Sequence, residues 1–208
     1  MQNVRNMRQI ARNNTTFTKD GWQVNKQSLY DIQPYAIGGQ TQLSFFQSPV
    51  GQGGKTLSDT NLTLAGQLPS NQKFLVEDIQ IWFNSGASPA ILGGTFGVQL
   101  NDAWIVYKAG NLKMTIGARE ILQEAPLGRF PCANKLESDS SQAGIANGVI
   151  VTGNAGGRIY KLDQTDVWIP STTAFSVQTS WPEGVQPLVS GVAGRIGVIL
   201  SGYMYNRI

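Results

Sequence analysis

The fold of this chain is decided first by the stretch Thr173-Ala-Phe-Ser-Val-Gln-Thr-Ser-Trp181. In it, Phe175 and Val177 alternate with Ser176 and Gln178. Side chains of a β-strand point to opposite faces with a period of two, whereas one face of a helix repeats about every 3.6 residues. The stretch therefore predicts a strand with one buried face and one polar face.

The same period of two recurs through most of the chain. The longest run is 73–83, which is rich in β-branched and aromatic residues. In the last strand, Ile196 and Val198 occupy alternate positions and are expected on one face. Ile199 and Tyr203 fall on the other face, so this strand is predicted to be apolar on both faces. Further strands are predicted at 41–47, 60–65, 95–100, 103–107, 112–116, 147–152 and 157–162.

One body helix is predicted, over 117–125, because this segment reads Gly-Ala-Arg-Glu-Ile-Leu-Gln-Glu-Ala and ends before Pro126. Loops are predicted at 48–58, 128–148 and 183–194. About ten short strands separated by Gly, Pro, Asn and Ser turns are typical of a β-sandwich or barrel. We therefore predict an all-β protein.

Two absences restrict the chemistry. The chain has no histidine, which removes Ser-His-Asp and Cys-His catalysis and histidine-ligated zinc. It has one cysteine, Cys132, so neither an internal disulfide nor a cysteine cluster can form. No apolar run approaches the roughly 20 residues that a membrane-spanning helix needs. We expect neither an enzyme nor a bound cofactor or metal.

The positive charge is concentrated at the N-terminus. The basic residues of the first 19 positions are Arg5, Arg8, Arg12 and Lys19, with no acid among them. The other 12 basic and 13 acidic residues leave the rest of the chain with a net charge of −1. We divide the chain into a basic arm, 1–20, and a single domain, 21–208. Such an arm suits contact with nucleic acid, an anionic membrane or an acidic protein surface.

The arm also has an apolar repeat. Val4, Met7, Ile10 and Ala11 recur at spacings of three to four residues, with the arginines between them. This predicts a short amphipathic helix, too short to be stable alone. The alternative is a solvated tail.

One glycine-rich stretch, 50–56, resembles part of a phosphate-binding loop. Gly54, Lys55 and Thr56 match the second half of that motif, but Pro49 stands where its first glycine is required. The residues that follow alternate like a strand, so no helix N-terminus is available to hold a phosphate. We predict a loop rather than a nucleotide site.

Acidic residues offer little further support for catalysis. Glu77 and Asp78 are neighbours on a predicted strand, so they are expected on opposite faces of the sheet. Asp163 and Asp166 flank a predicted turn, which explains both.

The five tryptophans suggest a second kind of site. Four of them lie in or beside apolar strand runs, where core packing is expected, namely Trp82, Trp104, Trp168 and Trp181. Trp22 follows the basic arm in a polar stretch, and we take it as the candidate for a ligand surface.

The low charge of the chain points to assembly. Charged residues make up 14% of it, against a usual value of about 25%. A free monomer generally keeps a charged surface to remain soluble. A surface of Gln, Asn, Ser, Thr and Gly instead suits a subunit that buries its exterior against its neighbours.

The C-terminal third carries a family resemblance. The segments 166–170, 173–182 and 195–207 together resemble the closing strands of a jelly-roll coat protein from tailless icosahedral bacteriophages of the corticovirus and tectivirus type. The resemblance implies an eight-stranded sandwich. Together with the strands predicted above, the expected fold is a jelly roll of about eight to ten strands with long interstrand loops. It also implies an inward-pointing arm that brings Arg5, Arg8 and Arg12 to the genome, an internal membrane or a neighbouring subunit.

The resulting expectation is a self-assembling capsid subunit. It would be made in the host cytoplasm, reside in the virion and bind copies of itself and other capsid proteins. The alternative is a receptor- or glycan-binding β-module, such as a spike or fibre head, which is suggested by Trp22 and the loops.

Overall fold

The computed structural model describes residues 16–19, 21–86, 95–130, 137–140, 151–154, 160–162 and 166–207. Most of these residues form two antiparallel sheets. The larger sheet contains β1 (Thr16–Lys19), β2 (Trp22–Tyr35), β12 (Gly194–Arg207), β4 (Gln72–Asn84) and β10 (Val167–Ile169) in that spatial order, with β9 (Tyr160–Lys161) also paired to β4. The smaller sheet contains β3 (Gln42–Phe45), β11 (Phe175–Ser180), β5 (Asn111–Ile116) and β6 (Arg119–Glu124).

The order of the strands is that of a jelly roll. Numbered one to eight along the chain, β2, β3, β4, β5, β6, β10, β11 and β12 form two four-stranded sheets with the orders 1-8-3-6 and 2-7-4-5. Two sheets of four strands wound as Greek keys are the definition of this fold. The predicted fold class is confirmed.

The core lies between the two sheets. The larger sheet contributes Ile79, Ile81 and Val198, and the smaller sheet contributes Met114 and Val177, all of them fully buried. Each of these residues occupies one of the alternate apolar positions of its strand. The period-two pattern therefore correctly predicts that these side chains are buried.

Three segments differ from the sequence-based prediction. The segments 95–100 and 103–107 belong to one helix, α1 (Thr95–Ala109), rather than to two strands. Segment 117–125 is a hairpin strand, β6, rather than a helix. The 14-residue strand β2, which was not predicted, pairs along its whole length with β12.

Tertiary contacts explain why α1 is helical despite its β-prone Trp-Ile-Val-Tyr run. Asp102 and Val106 lie one turn apart and are both fully buried. The Asp102 carboxylate accepts hydrogen bonds from the Ser85 hydroxyl (2.6 Å) and the Ser190 backbone N–H (3.2 Å). The Val106 carbonyl accepts the indole N–H of Trp181 (3.0 Å). A 3.6-residue spacing places these groups on the one face that meets the core.

The remaining predicted elements are present in part. Residues 60–65 form only isolated bridges, through Thr60 and Leu64. The predicted loop 128–148 contains the end of a 3₁₀ helix (Leu127–Arg129) and the strand β7 (Glu137–Ser140), which pairs with β8 (Val151–Asn154). Residues 141–150 and 157–159 lie outside the described residues.

Candidate interaction surface

The larger sheet carries a second apolar cluster on the face that points away from the core. We call it the outer cluster, and its members are Trp22, Val24, Leu75, Trp168, Tyr203 and Tyr205. Along β12, Leu200 and Met204 belong to the core, whereas Tyr203 and Tyr205 belong to the outer cluster. Both faces of this strand are therefore apolar.

A lysine lies among the aromatic rings of the outer cluster. The Lys73 Nζ is 4.3 Å from the ring centroid of Trp22, 5.2 Å from that of Trp168 and 5.4 Å from that of Tyr205. The Trp168 and Tyr205 rings are themselves 5.0 Å apart. An ammonium group within about 6 Å of an aromatic face is attracted to it, so these contacts hold Lys73 and the rings together.

The backbones of two residues singled out from the sequence pair at the edge of this sheet. The hairpin between β1 and β2 turns at Gly21, whose φ is 76°, and pairs Lys19 with Trp22. Trp22 is half-buried against the outer cluster. The other arm residues, Arg5, Arg8 and Arg12, lie outside the described residues.

A β-bulge corrects the prediction for Glu77 and Asp78. On β12, Ser201 pairs with Asp78 and the next residue, Gly202, pairs with Val76, which leaves Glu77 as an extra residue on β4. Val76 and Ile79 both belong to the core. The two residues between them therefore both lie on the outer face, and the expectation of opposite faces is wrong because a bulge interrupts the alternation.

Gly202 makes this bulge possible. A Cβ at this position would lie 1.9 Å from the Leu75 carbonyl oxygen, closer than any side chain tolerates. The bulge places both acidic residues on the face of the sheet that carries the outer cluster. Asp78 accepts a hydrogen bond from the Gln80 amide (3.1 Å), while the buried Glu77 Oε1 has no hydrogen-bond partner among the described residues.

The glycine-rich stretch is a structural loop, as predicted. The Lys55 ammonium forms a salt bridge with Asp31, whose side chain is fully buried. The same carboxylate accepts the backbone N–H of Phe46 (2.6 Å), which has a φ of 66°. Lys55 thus neutralises a buried acid instead of facing a ligand.

The tryptophans divide differently from the prediction. Trp181 is a core residue at 1% exposure, and Trp82 is half-buried. Trp104 is 67% exposed on α1, so the expected core packing is wrong for this residue. Trp168 lies in the outer cluster and also lines a groove of about 680 Å³ between β10 and β6, together with Ile121 and Pro170.

Tyr160 and Arg129 both contact Glu124, the last residue of β6, and this polar group is structural rather than catalytic. The Tyr160 hydroxyl donates a hydrogen bond to Glu124 (3.1 Å), and Arg129 forms a salt bridge with the same carboxylate. Burial raises the pKa of Tyr160, and the bond to Glu124 raises it further. The phenol is therefore held protonated, which suits a structural donor rather than a base.

The described part of the chain offers neither a metal site nor a membrane-spanning helix. No group of three or more Cys, Asp or Glu residues there could hold a metal ion. No helix there is long and apolar enough to cross a membrane. Cys132 and Asp163 lie outside these residues.

Comparisons with models of known protein families, with curated proteins and with solved structures each find no match. The site residues that sequence reasoning missed are Lys73, Trp168 and Tyr205. Their signal was present in the last strand, since a strand that is apolar on both faces indicates that both faces are covered.

Proposed function

We propose that this chain is a structural virion protein, a self-assembling capsid subunit that forms an icosahedral phage shell. The observation that carries the proposal is the jelly-roll order of the eight strands. This fold is used by viral capsid proteins, by lectin domains and by cupins. A fold alone does not give a function, so these classes must be distinguished by the residues on the surface.

Surface composition favours a subunit. The loops at one end of the sandwich expose four apolar side chains, those of Ile37, Val185, Val189 and Val192. Two hydrogen bonds join these loops, from Tyr35 Oη to the Gln186 carbonyl (2.9 Å) and from the Leu188 N–H to the Ile37 carbonyl (2.8 Å). We name this group the loop patch. Its residues carry no charge, and exposed apolar patches of this kind are typical of contacts between proteins.

The proposed partners are copies of this chain and other capsid proteins. The arm residues Arg5, Arg8, Arg12 and Lys19 are assigned to contact with neighbouring subunits, the genome or an internal membrane. The protein is made in the host cytoplasm and resides in the virion. No step of this role requires a cofactor or catalysis.

Electron microscopy and light scattering of the purified chain, at two salt concentrations, test the proposal. We expect closed shells, trimers or pentamers. Val189→Asp with Val192→Asp should reduce assembly at least tenfold, whereas Thr63→Asp, at an exposed site outside the loop patch, should not. A 22.5 kDa monomer under both conditions contradicts the proposal.

A second set of variants tests the arm. Changing Arg5, Arg8 and Arg12 together to Gln should lower particle yield or nucleic-acid content while the body stays folded. The matched control removes three exposed body charges by changing Lys26, Lys108 and Lys161 to Gln. Equal effects of the two triple variants refute a specific role for the arm.

The alternative function, glycan or receptor binding, is favoured by one observation. Trp22 and Trp168 are half-buried around Lys73, and Trp168 also lines an open groove. Stacking of sugars on such rings predicts hits on a glycan array that are lost in Trp168→Ala and kept in Trp104→Ala. An array without hits rejects this function.

A further inference from the structure

The two ends of the sandwich carry different surfaces. At one end Phe175 of β11 pairs with Ile116 of β5, and at the other end Ser180 pairs with Asn111. The loop that follows β11 leaves from the Ser180 end and carries three of the four residues of the loop patch. The groove between β10 and β6 is lined by Ile116 and Thr173, so it lies at the Phe175 end. The loop patch and the groove are therefore at opposite ends of one molecule.

A β-bulge exposes an apolar side chain in this groove. The register of β6 against β5 shifts between Met114 and Thr115, which leaves Ile121 as an extra residue on β6. Bulges re-aim side chains in this way, and Ile121 is 36% exposed beside Trp168. Bulges and charged residues on an edge strand also hinder the addition of a further strand. A partner therefore meets the side chains of the groove rather than the backbone edge of β6.

The groove also has a cation without a partner. Of its acidic residues, Glu120 forms a salt bridge with Lys113 (2.6 Å), and Asp166 is engaged in a contact of its own. Arg119 is exposed and forms neither an ion pair nor a hydrogen bond with the other described residues. The groove thus offers a partner an apolar surface with one available positive charge.

The loop patch has the complementary character. Glu183 is the only charged residue in the two loops at that end, 36–41 and 181–193, and it is exposed without an ion pair among the described residues. The Asp102 carboxylate accepts the Ser190 N–H (3.2 Å), which fixes the longer loop to α1. A surface that is already ordered loses little entropy on binding. The apolar side chains of this loop are 42–57% exposed, namely those of Val185, Val189 and Val192.

We propose that the loop patch of one copy of this chain docks in the groove between β10 and β6 of the next copy. The valines of the patch then lie against Ile121 and Trp168, and Glu183 pairs with Arg119 of the neighbouring copy. The inference rests on the proposed function, since it names the contact through which the subunits assemble.

Such a contact is heterologous, because the two copies use different surfaces. Each copy at the end of a pair still has an unused loop patch or an unused groove, so further copies add in the same way. Heterologous contacts close into rings when the rotation between copies allows it. Rings are the rotationally symmetric units from which an icosahedral shell is built.

Disulfide cross-linking between single-cysteine chains tests the contact. Cys132→Ser removes the native thiol, and Ile121→Cys and Val189→Cys are then made in separate chains, one of which carries a mass tag. After mild oxidation with diamide, an equal mixture should give at least tenfold more mixed dimer than either chain gives of its own dimer. A disulfide needs Cα atoms within about 7 Å, so the product reports direct contact.

The matched control places the first cysteine elsewhere on the surface. Thr63→Cys is exposed and belongs to neither surface, so its mixture with Val189→Cys should give only background dimer. Equal yields with Thr63→Cys and with Ile121→Cys overturn the proposal. Preferential dimers of Val189→Cys alone also overturn it, because they assign the loop patch to a contact with itself.

A charge reversal tests the ion pair. Arg119→Glu and Glu183→Arg should each raise the concentration needed for half-assembly, measured by light scattering, by about fivefold, the equivalent of one exposed ion pair. The chain with both changes should return to within twofold of the unmodified chain, because the pair is restored with its signs exchanged. Lys108→Glu, the same reversal on the exposed side of α1, is the control. A double variant as weak as the sum of its single losses contradicts the pairing.

These measurements separate the inference from the proposed function. Shells that form without the mixed disulfide overturn the docking contact and leave the capsid role standing. Mixed disulfides without closed shells support the contact and count against the shell. A chain that is monomeric and gives no mixed disulfide overturns both.

Discussion

Replacing Lys55 by Met gives a decisive test of the glycine-rich loop. The substitution removes the ammonium that neutralises Asp31 and keeps most of the volume of the side chain. Asp31 is fully buried, and the Lys55 side chain is 15% exposed. The carboxylate is then left in the interior without a counter-charge, retaining the Phe46 N–H (2.6 Å) and a long contact from Gln33 (3.4 Å).

The expected loss of stability follows from this geometry. Removing one partner of a buried ion pair costs about 3–5 kcal/mol. We expect the lower end, about 3 kcal/mol, because the Phe46 N–H still stabilises the Asp31 carboxylate. For a chain of this size, that corresponds to a decrease in Tm of roughly 6–12 °C. A nucleotide-binding lysine would instead leave the Tm of the free protein nearly unchanged.

Urea unfolding followed by tryptophan fluorescence, together with calorimetry, measures the effect. Lys161→Met removes an exposed lysine and is expected to change the free energy of unfolding by about 0.5 kcal/mol or less. Adding Asp31→Asn to Lys55→Met should recover more than half of the loss, because no buried charge remains.

The reasoning is refuted if Lys55→Met and Lys161→Met are equally stable, or if the double variant shows the sum of its single losses. A rise in the Tm of the unmodified chain with magnesium and ATP, absent in Lys55→Met, would restore the phosphate-loop interpretation.

Three further changes test other parts of the structure. Gly202→Ala places a Cβ 1.9 Å from the Leu75 carbonyl oxygen and should destabilise the chain by about 3 kcal/mol or more in a urea titration. Gly38→Ala has open space around it and should be neutral in the same titration. Equal unfolding midpoints for the two variants would contradict the bulge geometry. Val198→Asp places an unpaired charge in the core and should abolish the cooperative unfolding transition seen by calorimetry, so a retained transition argues against this packing. The pKa of Asp59 lies below its ordinary 3.8 because the backbone N–H and then the hydroxyl of Thr56 donate to its carboxylate, with Arg195 adding a smaller attraction. This stabilisation is present above about pH 4 and is lost as the pH falls through the lowered pKa. Asp59→Asn should therefore be less stable than the unmodified chain at pH 7, and the difference should shrink as the pH falls below 4; a difference that is independent of pH would contradict it.

The accuracy of the sequence-based predictions varied with the kind of contact that determines each element. Strands with one buried face, such as β11, were predicted well because alternation directly reflects burial. The helix α1 was read as two strands because its Trp-Ile-Val-Tyr run favours β structure locally. Its helical form depends on Asp102 and Val106, whose partners are 17 to 88 residues away in the chain.

The candidate surface was only partly predictable. Trp22 and Lys19 were identified from sequence, and the hairpin brings their backbones together. Lys73, Trp168 and Tyr205 come from three other strands, β4, β10 and β12, and meet only when the sheet forms. Their sequence separation of up to about 130 positions leaves no local pattern to detect.

The sequence by itself determined the fold class, the core-facing residues of the regular strands, the absence of histidine chemistry and the basic character of the arm. These properties are local, because composition and a period of two require no knowledge of which strands become neighbours. The tertiary structure alone decided the strand order, the helical state of α1, the common face of Glu77 and Asp78, and the pairing of Lys55 with Asp31. Each of these depends on residues distant in the chain, whose meeting is fixed by the burial of both sheets in one core.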